Sequence, residues 1–254
     1  MDGRPAMSAR IYHPTHAPMV RRGDRRRPSP LGGVRSPGRC AVSLRTVAAL
    51  YVQRGGSYYG LEGVDPWDEQ RDARLYAGPH PVVAHPPCER WGRYARGGPS
   101  AKWKRTVGDD GGCFAAALAS VRQWGGVIEH PEASHAWRRF GLAAPPRDGG
   151  WVNADFGGGW TCCVEQGHYG HTARKATWLY AVGVDIPALA WGKSAATARL
   201  DEGYASAEAR RVARAAGALP IVRITGKELA ATPPAFRDLL IAMARTARVR
   251  SEAA

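Results

Sequence analysis

The stretch Pro81-Val82-Val83-Ala84-His85-Pro86-Pro87-Cys88 constrains this chain more than any other. Val82 to Ala84 form an apolar run too short for a helix. Two consecutive prolines cannot continue a sheet ladder, because each lacks the N–H the ladder needs. The run therefore reads as a buried strand ending in a forced turn, with Cys88 on a loop at the strand's carboxyl end. In open α/β sheets that edge is where ligands bind. Taken alone, these residues favour a buried thiol beside a turn, since free cysteine is among the most buried residue types.

Later segments shift that balance. Gly126-Val127-Ile128-Glu129-His130-Pro131 is a second short apolar run, this one ending in a carboxylate, a histidine and a proline. Tyr169-Gly170-His171-Thr172-Ala173-Arg174-Lys175 is a basic loop feeding a third apolar run, Ala176 to Tyr180. Each predicted strand thus begins or ends at a chemically usable group. The order Pro-Pro-Cys, Glu-X-Pro, then a Gly-start basic loop resembles the cytosine-5 DNA methyltransferases. It is closer still to the divergent methylase-like proteins of phages and mobile elements, which carry His-Pro-Pro-Cys and a Gly-His loop followed by Lys-Ala-Thr. The similarity spans roughly residues 46 to 183. It departs at His130, where the family carries an amide.

The resemblance implies an α/β fold: a compact Rossmann-like methyltransferase sheet with a reduced cofactor half, preceded by a disordered basic arm. It further implies Cys88 as nucleophile and Glu129 as the group that holds the ring edge of a cytosine. Pro87, Arg90, Trp91, His130, His171, Arg174 and Lys175 form the set expected to face substrate or DNA. S-adenosylmethionine would be the methyl donor, with Gly55, Gly56 and Asp65 as its binding residues. Two alternatives stay open beside this one: a base modification with a different one-carbon donor, and a non-catalytic DNA-binding protein.

Charge bears on the partner. Lys and Arg number 36 against 22 Asp and Glu, a formal net charge of +14, which suits a polyanion such as DNA without specifying a fold. Residues 1–45 are crowded with Arg, Pro, Gly and Ser and cannot bury enough apolar surface to offset chain entropy, so a disordered basic arm is expected there. The domain is expected over 46–254, with a small basic segment at 184–220. After the Cys88 loop, Arg90-Trp91-Gly92-Arg93-Tyr94 and Lys102-Trp103-Lys104-Arg105 interleave cations and aromatics as a nucleic-acid surface would.

No apolar run approaches the ~18 residues of a membrane span, so no membrane partner is expected. Five cysteines without regular spacing argue against a disulfide framework and for a reducing cytoplasm. Adjacent Cys162 and Cys163 on a strand would point to opposite faces, so they do not read as a metal pair.

Further elements follow from periodicity. Val47 to Val52 reads as a first strand, and the Gln53-Arg54-Gly55-Gly56 turn after it is a weak nucleotide-site signal. Asp65 is expected to end a second strand, and Trp67 to Tyr76 to form a short charged helix. Asp109 or Asp110 would cap a helix running through Trp124. Trp160 to Glu165 reads as a strand, Ala207 to Ala216 as an Arg-rich helix, and Pro233-Pro234 as the start of a helix to about Arg245. Only about three dozen residues separate Val52 from Cys88, whereas one βαβ unit already takes about thirty. The cofactor half is therefore compressed.

Overall fold

Three short apolar runs and an edge strand carrying Asp65 and Pro66 become the parallel part of one sheet, the inner strands being apolar because both their faces are covered. These are β1 (Val47–Leu50), β2 (Val64–Trp67), β3 (Val82–Ala84) and β4 (Gly126–Pro131). Three more strands, β5 (Val152–Asn153), β6 (Trp160–Glu165) and β7 (Ala176–Val182), complete it. The computed structural model describes residues 44–92, 95–96, 105–198, 207–217, 224 and 227–248. The expected basic arm, apart from residues 44 and 45, lies outside them, as do Arg93, Tyr94 and the Lys102-Trp103-Lys104 segment.

The strand order is β2-β1-β3-β4-β7-β6-β5. β2, β1, β3 and β4 run parallel, β7 is antiparallel to both β4 and β6, and β5 is antiparallel to β6. The sheet is thus mixed: a parallel half joined to an antiparallel half at the β4–β7 seam. From β1 the chain goes first to one side, to β2, and then to the other, to β3. That reversal opens a crevice at the carboxyl ends of β1 and β3.

Helix α1 (Cys113–Trp124) connects β3 to β4 and covers one face. Its Phe114, Ala117, Leu118 and Val121 pack with Ala48, Leu50, Val82, Ala84, Ile128 and Tyr180. α5 (Pro234–Arg245) covers the other face, where Phe236, Leu240 and Ile241 meet Val47, Ala49, Val83, Val127 and Leu179. Alternate residues of each strand go to alternate layers, as the two-residue pleat requires. Burying a side chain such as Phe236 or Leu240 stabilises by roughly 1.5–3 kcal/mol, so α5 is held by its apolar stripe. Short helices α2 (His135–Arg139), α3 (Ala207–Ala215) and α4 (Lys227–Ala230) complete the described elements.

Gly126 lets β3 and β4 approach. Its φ is 138°, and a Cβ there would lie 1.9 Å from the Val82 carbonyl oxygen. The N-cap of α1 is Gly112 rather than the expected Asp109 or Asp110, and Asp110, two residues before it, accepts N–H bonds from Gly112 at 3.0 Å and Phe114 at 2.8 Å.

Two further expectations fail. The helix expected over Trp67–Tyr76 is absent: Trp67 closes β2, Asp68 accepts the Gln70 and Arg71 N–H groups in a turn, and only Ala73–Leu75 coils. Asp72, in the left-handed region at φ 49°, interrupts any longer helix. Asp65 does not end its strand but stands second in it.

Candidate functional site

Three chain segments meet at the carboxyl edge of the parallel strands. The loop after β3 brings His85 and Cys88, the end of β4 brings Glu129, and the antiparallel pair β6–β7 brings Gln166 and Lys175. β7 enters the sheet at this edge because it runs against β4, with Thr177 in register with Pro131.

Glu129 is the centre of the group. Its side chain is 11% exposed. One carboxylate oxygen, Oε1, accepts from Gln166 Nε2 at 2.9 Å, and the other, Oε2, pairs with His85 Nδ1 at 2.9 Å. Burial pushes its pKa up, but the His85 bond and charge, together with Lys175, outweigh it and hold the carboxyl down at about 2. The group is therefore an anion at neutral pH. An ionised carboxylate only accepts, so His85 Nδ1 carries the proton, and in neutral His85 Nε2 accepts the Tyr58 hydroxyl at 2.7 Å. Gln166 Nε2 also donates to Thr177 Oγ1 at 2.9 Å. A continuous chain of polar groups thus runs from Tyr58 through His85, Glu129 and Gln166 to Thr177.

Cys88 stands beside this chain. Pro86 is buried and Pro87 exposed, so the prolines turn the thiol outward, and the Cys88 carbonyl closes the turn by accepting the Trp91 and Gly92 N–H groups. As a residue it is exposed. Desolvation of the sulfur and the Glu129 charge raise the thiol pKa, against the opposing pull of Lys175. Lys175 donates from Nζ to the Ala231 carbonyl at 2.7 Å and the Ala230 carbonyl at 3.3 Å. Burial lowers its pKa while Glu129 and Cys88 raise it. Cys88, Glu129 and Lys175 therefore feel one another's charges.

Other expected site residues lie elsewhere. His130 follows Glu129 but points to the opposite face, 0% exposed, between Phe114 and Trp137. Neither ring nitrogen meets a partner in good hydrogen-bond geometry, and burial, against the opposing pull of the Glu129 charge and the Pro87 backbone, pushes the imidazole pKa down to about 4. It cannot meet a substrate in this arrangement. Trp91 is likewise 3% exposed, stacked among Phe114 and Phe140 with its indole N–H donated to Asp110, and so is a core residue. Arg90 is half-buried, and its carbonyl accepts the Gly108 N–H. His171 is buried, with Nδ1 accepting the Ala173 N–H at 3.0 Å. Arg174 is exposed and lines a cleft of about 610 Å³ that also includes Lys175 but neither Cys88 nor Glu129.

The residues expected to hold S-adenosylmethionine lie on β2 and in the turn after β1. Asp65 gives one oxygen to Arg71 at 2.5 Å and the other to the Trp67 indole at 2.8 Å. Gly55, at φ 63°, faces open space, and Gly56 lies against the Gln53 carbonyl of its own turn. No helix follows β1 among the described residues, so there is no helix N-terminus to receive a nucleotide there. Among the described residues there is also no cluster of His, Cys, Asp and Glu able to hold a metal ion.

Sequence reasoning gave no role to His85, Tyr58 or Gln166. His85 stood inside the quoted motif, adjacent to the prolines, and that adjacency was its only signal. Tyr58 and Gln166 carried none, since a tyrosine in a glycine-rich turn and a glutamine at a strand end are ordinary surface residues. Comparison of the chain with protein-family models, curated proteins and solved structures returns no match.

Proposed function

We propose that the chain is a DNA pyrimidine-modifying enzyme that attacks carbon 6 of cytosine with Cys88. The observation carrying this reading is the convergence of a loop thiol and an ionised, nearly buried carboxylate from neighbouring parallel strands. The sheet supports it at the fold level. Four parallel strands followed by an antiparallel one, with the reactive groups at the carboxyl edge, suit a Rossmann-like methyltransferase sheet with its cofactor half reduced.

Each Glu129 oxygen accepts one hydrogen bond from the chain and retains capacity for another. It can therefore accept from the exocyclic amine of a base extruded from its stack. Glu129 is too strong an acid in this site to hold the proton that ring nitrogen 3 needs. Nitrogen 3 therefore takes its proton from solvent, since both His85 nitrogens are held, one by Glu129 and the other by Tyr58. The Cys88 thiol gives its proton to solvent and its sulfur bonds carbon 6; the electrons of the carbon 5–carbon 6 double bond shift toward carbon 4 as nitrogen 3 takes a proton, and the resulting enamine makes carbon 5 nucleophilic. The donor is S-adenosylmethionine or a different one-carbon carrier, and no step here runs through it. One observation favours the rival reading of a non-catalytic DNA-binding protein: the raised Cys88 pKa, which keeps the thiol protonated at rest.

A donor-free test separates the two. Addition at carbon 6 lets carbon 5 take a deuteron from solvent before the adduct reverses. Incubation with a cytosine-containing single strand in D₂O is expected to exchange hydrogen at carbon 5, and Cys88→Ser to abolish that exchange. No exchange by the parent protein on single- or double-stranded DNA would leave the binder as the reading.

A further inference from the structure

The cleft of about 610 Å³ beside the thiol site has no part in the chemistry above. Its walls are the Arg147-Asp148 turn, the end of β6, the start of β7 and the strap Gly192–Ala198. The strap is fixed in place. Glu165 Oε2 accepts both the N–H of Ser194 at 2.7 Å and its hydroxyl at 2.9 Å. His168 Nε2 reaches the Gly192 carbonyl at 3.1 Å, and the Ala198 N–H donates to Thr172. Gly167 lets the strap lie flat: a Cβ there would sit 2.2 Å from Ser194 Oγ.

Charge in the cleft is unbalanced. Arg147, Arg174, Lys175 and Lys193 line it against Asp148 and Glu165. Glu165 is already engaged with Ser194, and Arg147 lies 3.5 Å from Glu132. Arg174 and Lys193 are exposed and make no ion pair among the described residues. A preformed polar cavity of this size, with two unmatched cations, is suited to an anionic small group rather than an apolar one. Lys175 ties it to the site described above, since it lines the cleft and also interacts with the charges on Glu129 and Cys88.

We propose that this cleft binds the phosphate of the nucleotide whose base reaches Cys88, with Arg174 and Lys193 as its ligands. The proposal rests on the reading of the site as a pyrimidine site. The phosphate belongs either to a strand or to a free nucleotide, and the probes are a single-stranded oligodeoxycytidine and 5′-deoxycytidine monophosphate.

The test uses the full chain and a double variant, Arg174→Ala with Lys193→Ala, followed by calorimetry across a salt series. A second double variant, Arg138→Ala with Arg139→Ala, removes the same charge from the exposed face of α2. The cleft variant is expected to weaken binding at least tenfold. On the oligonucleotide it should also shallow the salt slope by about 0.7, the value for one phosphate no longer neutralised on a single strand. The α2 variant should change neither. Tighter binding of the oligonucleotide than the monophosphate assigns the phosphate to a strand, and the reverse to a free nucleotide. Equal losses in the two variants, an unchanged cleft variant, or no binding of either probe by the parent overturns the proposal. Loss of binding in the cleft variant with no carbon-5 exchange by the parent would sink the cysteine reading and leave the cleft standing.

Discussion

Glu129 and His130 are consecutive on β4, yet one ends in a polar network and the other in an aromatic box. Glu129 projects to the α5 side, where His85 and Gln166 hold its two oxygens. His130 projects to the α1 side, between Phe114 and Trp137, with neither nitrogen in good hydrogen-bond geometry. The difference teaches that a polar residue at a strand end acquires its role from the face it is given. The two-residue period assigns that face, and residue type does not. The lesson extends to Trp91, whose place beside Cys88 in sequence reads as a substrate contact and whose place in space is the core.

The largest expected effect lies on the aromatic side. Trp137→Ala should cost about 3–5 kcal/mol in urea unfolding, because a fully buried indole leaves a cavity and strips one wall from His130. A loss below about 1 kcal/mol would mean that this face is not packed as described.

The two residues should next separate by pH. His130 titrates at about 4 folded against 6.5 unfolded. The unfolded chain therefore binds more protons between those values, and stability falls as pH drops from 6.5 to 4, by about 3 kcal/mol. Glu129 is lowered from 4.5 to about 2, so its contribution is present above 4.5 and is lost as pH falls from there toward 2. Stability curves of His130→Leu should lack the first loss and keep the second. At neutral pH that variant should be as stable as the parent or more so, since two unsatisfied polar atoms are removed. An unchanged curve between pH 6.5 and 4 would place His130 outside the hydrocarbon layer.

Activity should follow the other face. Glu129→Gln is expected to reduce carbon-5 exchange about 100-fold, whereas His130→Leu should leave it within about twofold. Similar losses in both would erase the distinction between the faces. The smallest effect concerns the thiol. Because the Glu129 charge is one cause of the raised Cys88 pKa, Glu129→Gln should speed iodoacetamide labelling of Cys88 severalfold at pH 8. Peptide mass spectrometry would read this, and a slower rate would show that the carboxylate does not oppose the thiolate.

Much of the scaffold was legible. Val82–Ala84, Gly126–Pro131, Trp160–Glu165 and Ala176–Val182 stand out as short apolar runs bounded by Pro, Gly or charge, and the apolar stripe of α5 places its buried face, whereas on α1 Phe114 and Leu118 are buried beyond the stripe of Cys113, Ala117, Val121 and Trp124. Trp67–Tyr76 misleads because its charges suit a surface helix, while strand pairing claims Trp67 and Asp68 and Asp72 bend the chain. Asp65 misleads in a different way: it stands inside β2 rather than at its end, and Arg71 and Trp67 already hold both oxygens. No local pattern reports a partner that arrives from six residues on or from across a sheet.

By itself, the order of residues determined that a thiol would follow a forced turn at a strand's end and that an acid would close a nearby strand, because proline chemistry and apolar run length are local properties. Tertiary structure decided that β7 enters antiparallel beside β4, that Gln166 and Lys175 thereby reach Glu129, and that His85 turns its ring to the same carboxylate. It also decided which of two neighbours on β4 is wet with hydrogen bonds and which is dry. Those outcomes depend on strand pairing across more than 30 residues of chain, where register and face follow from the packing of both layers at once.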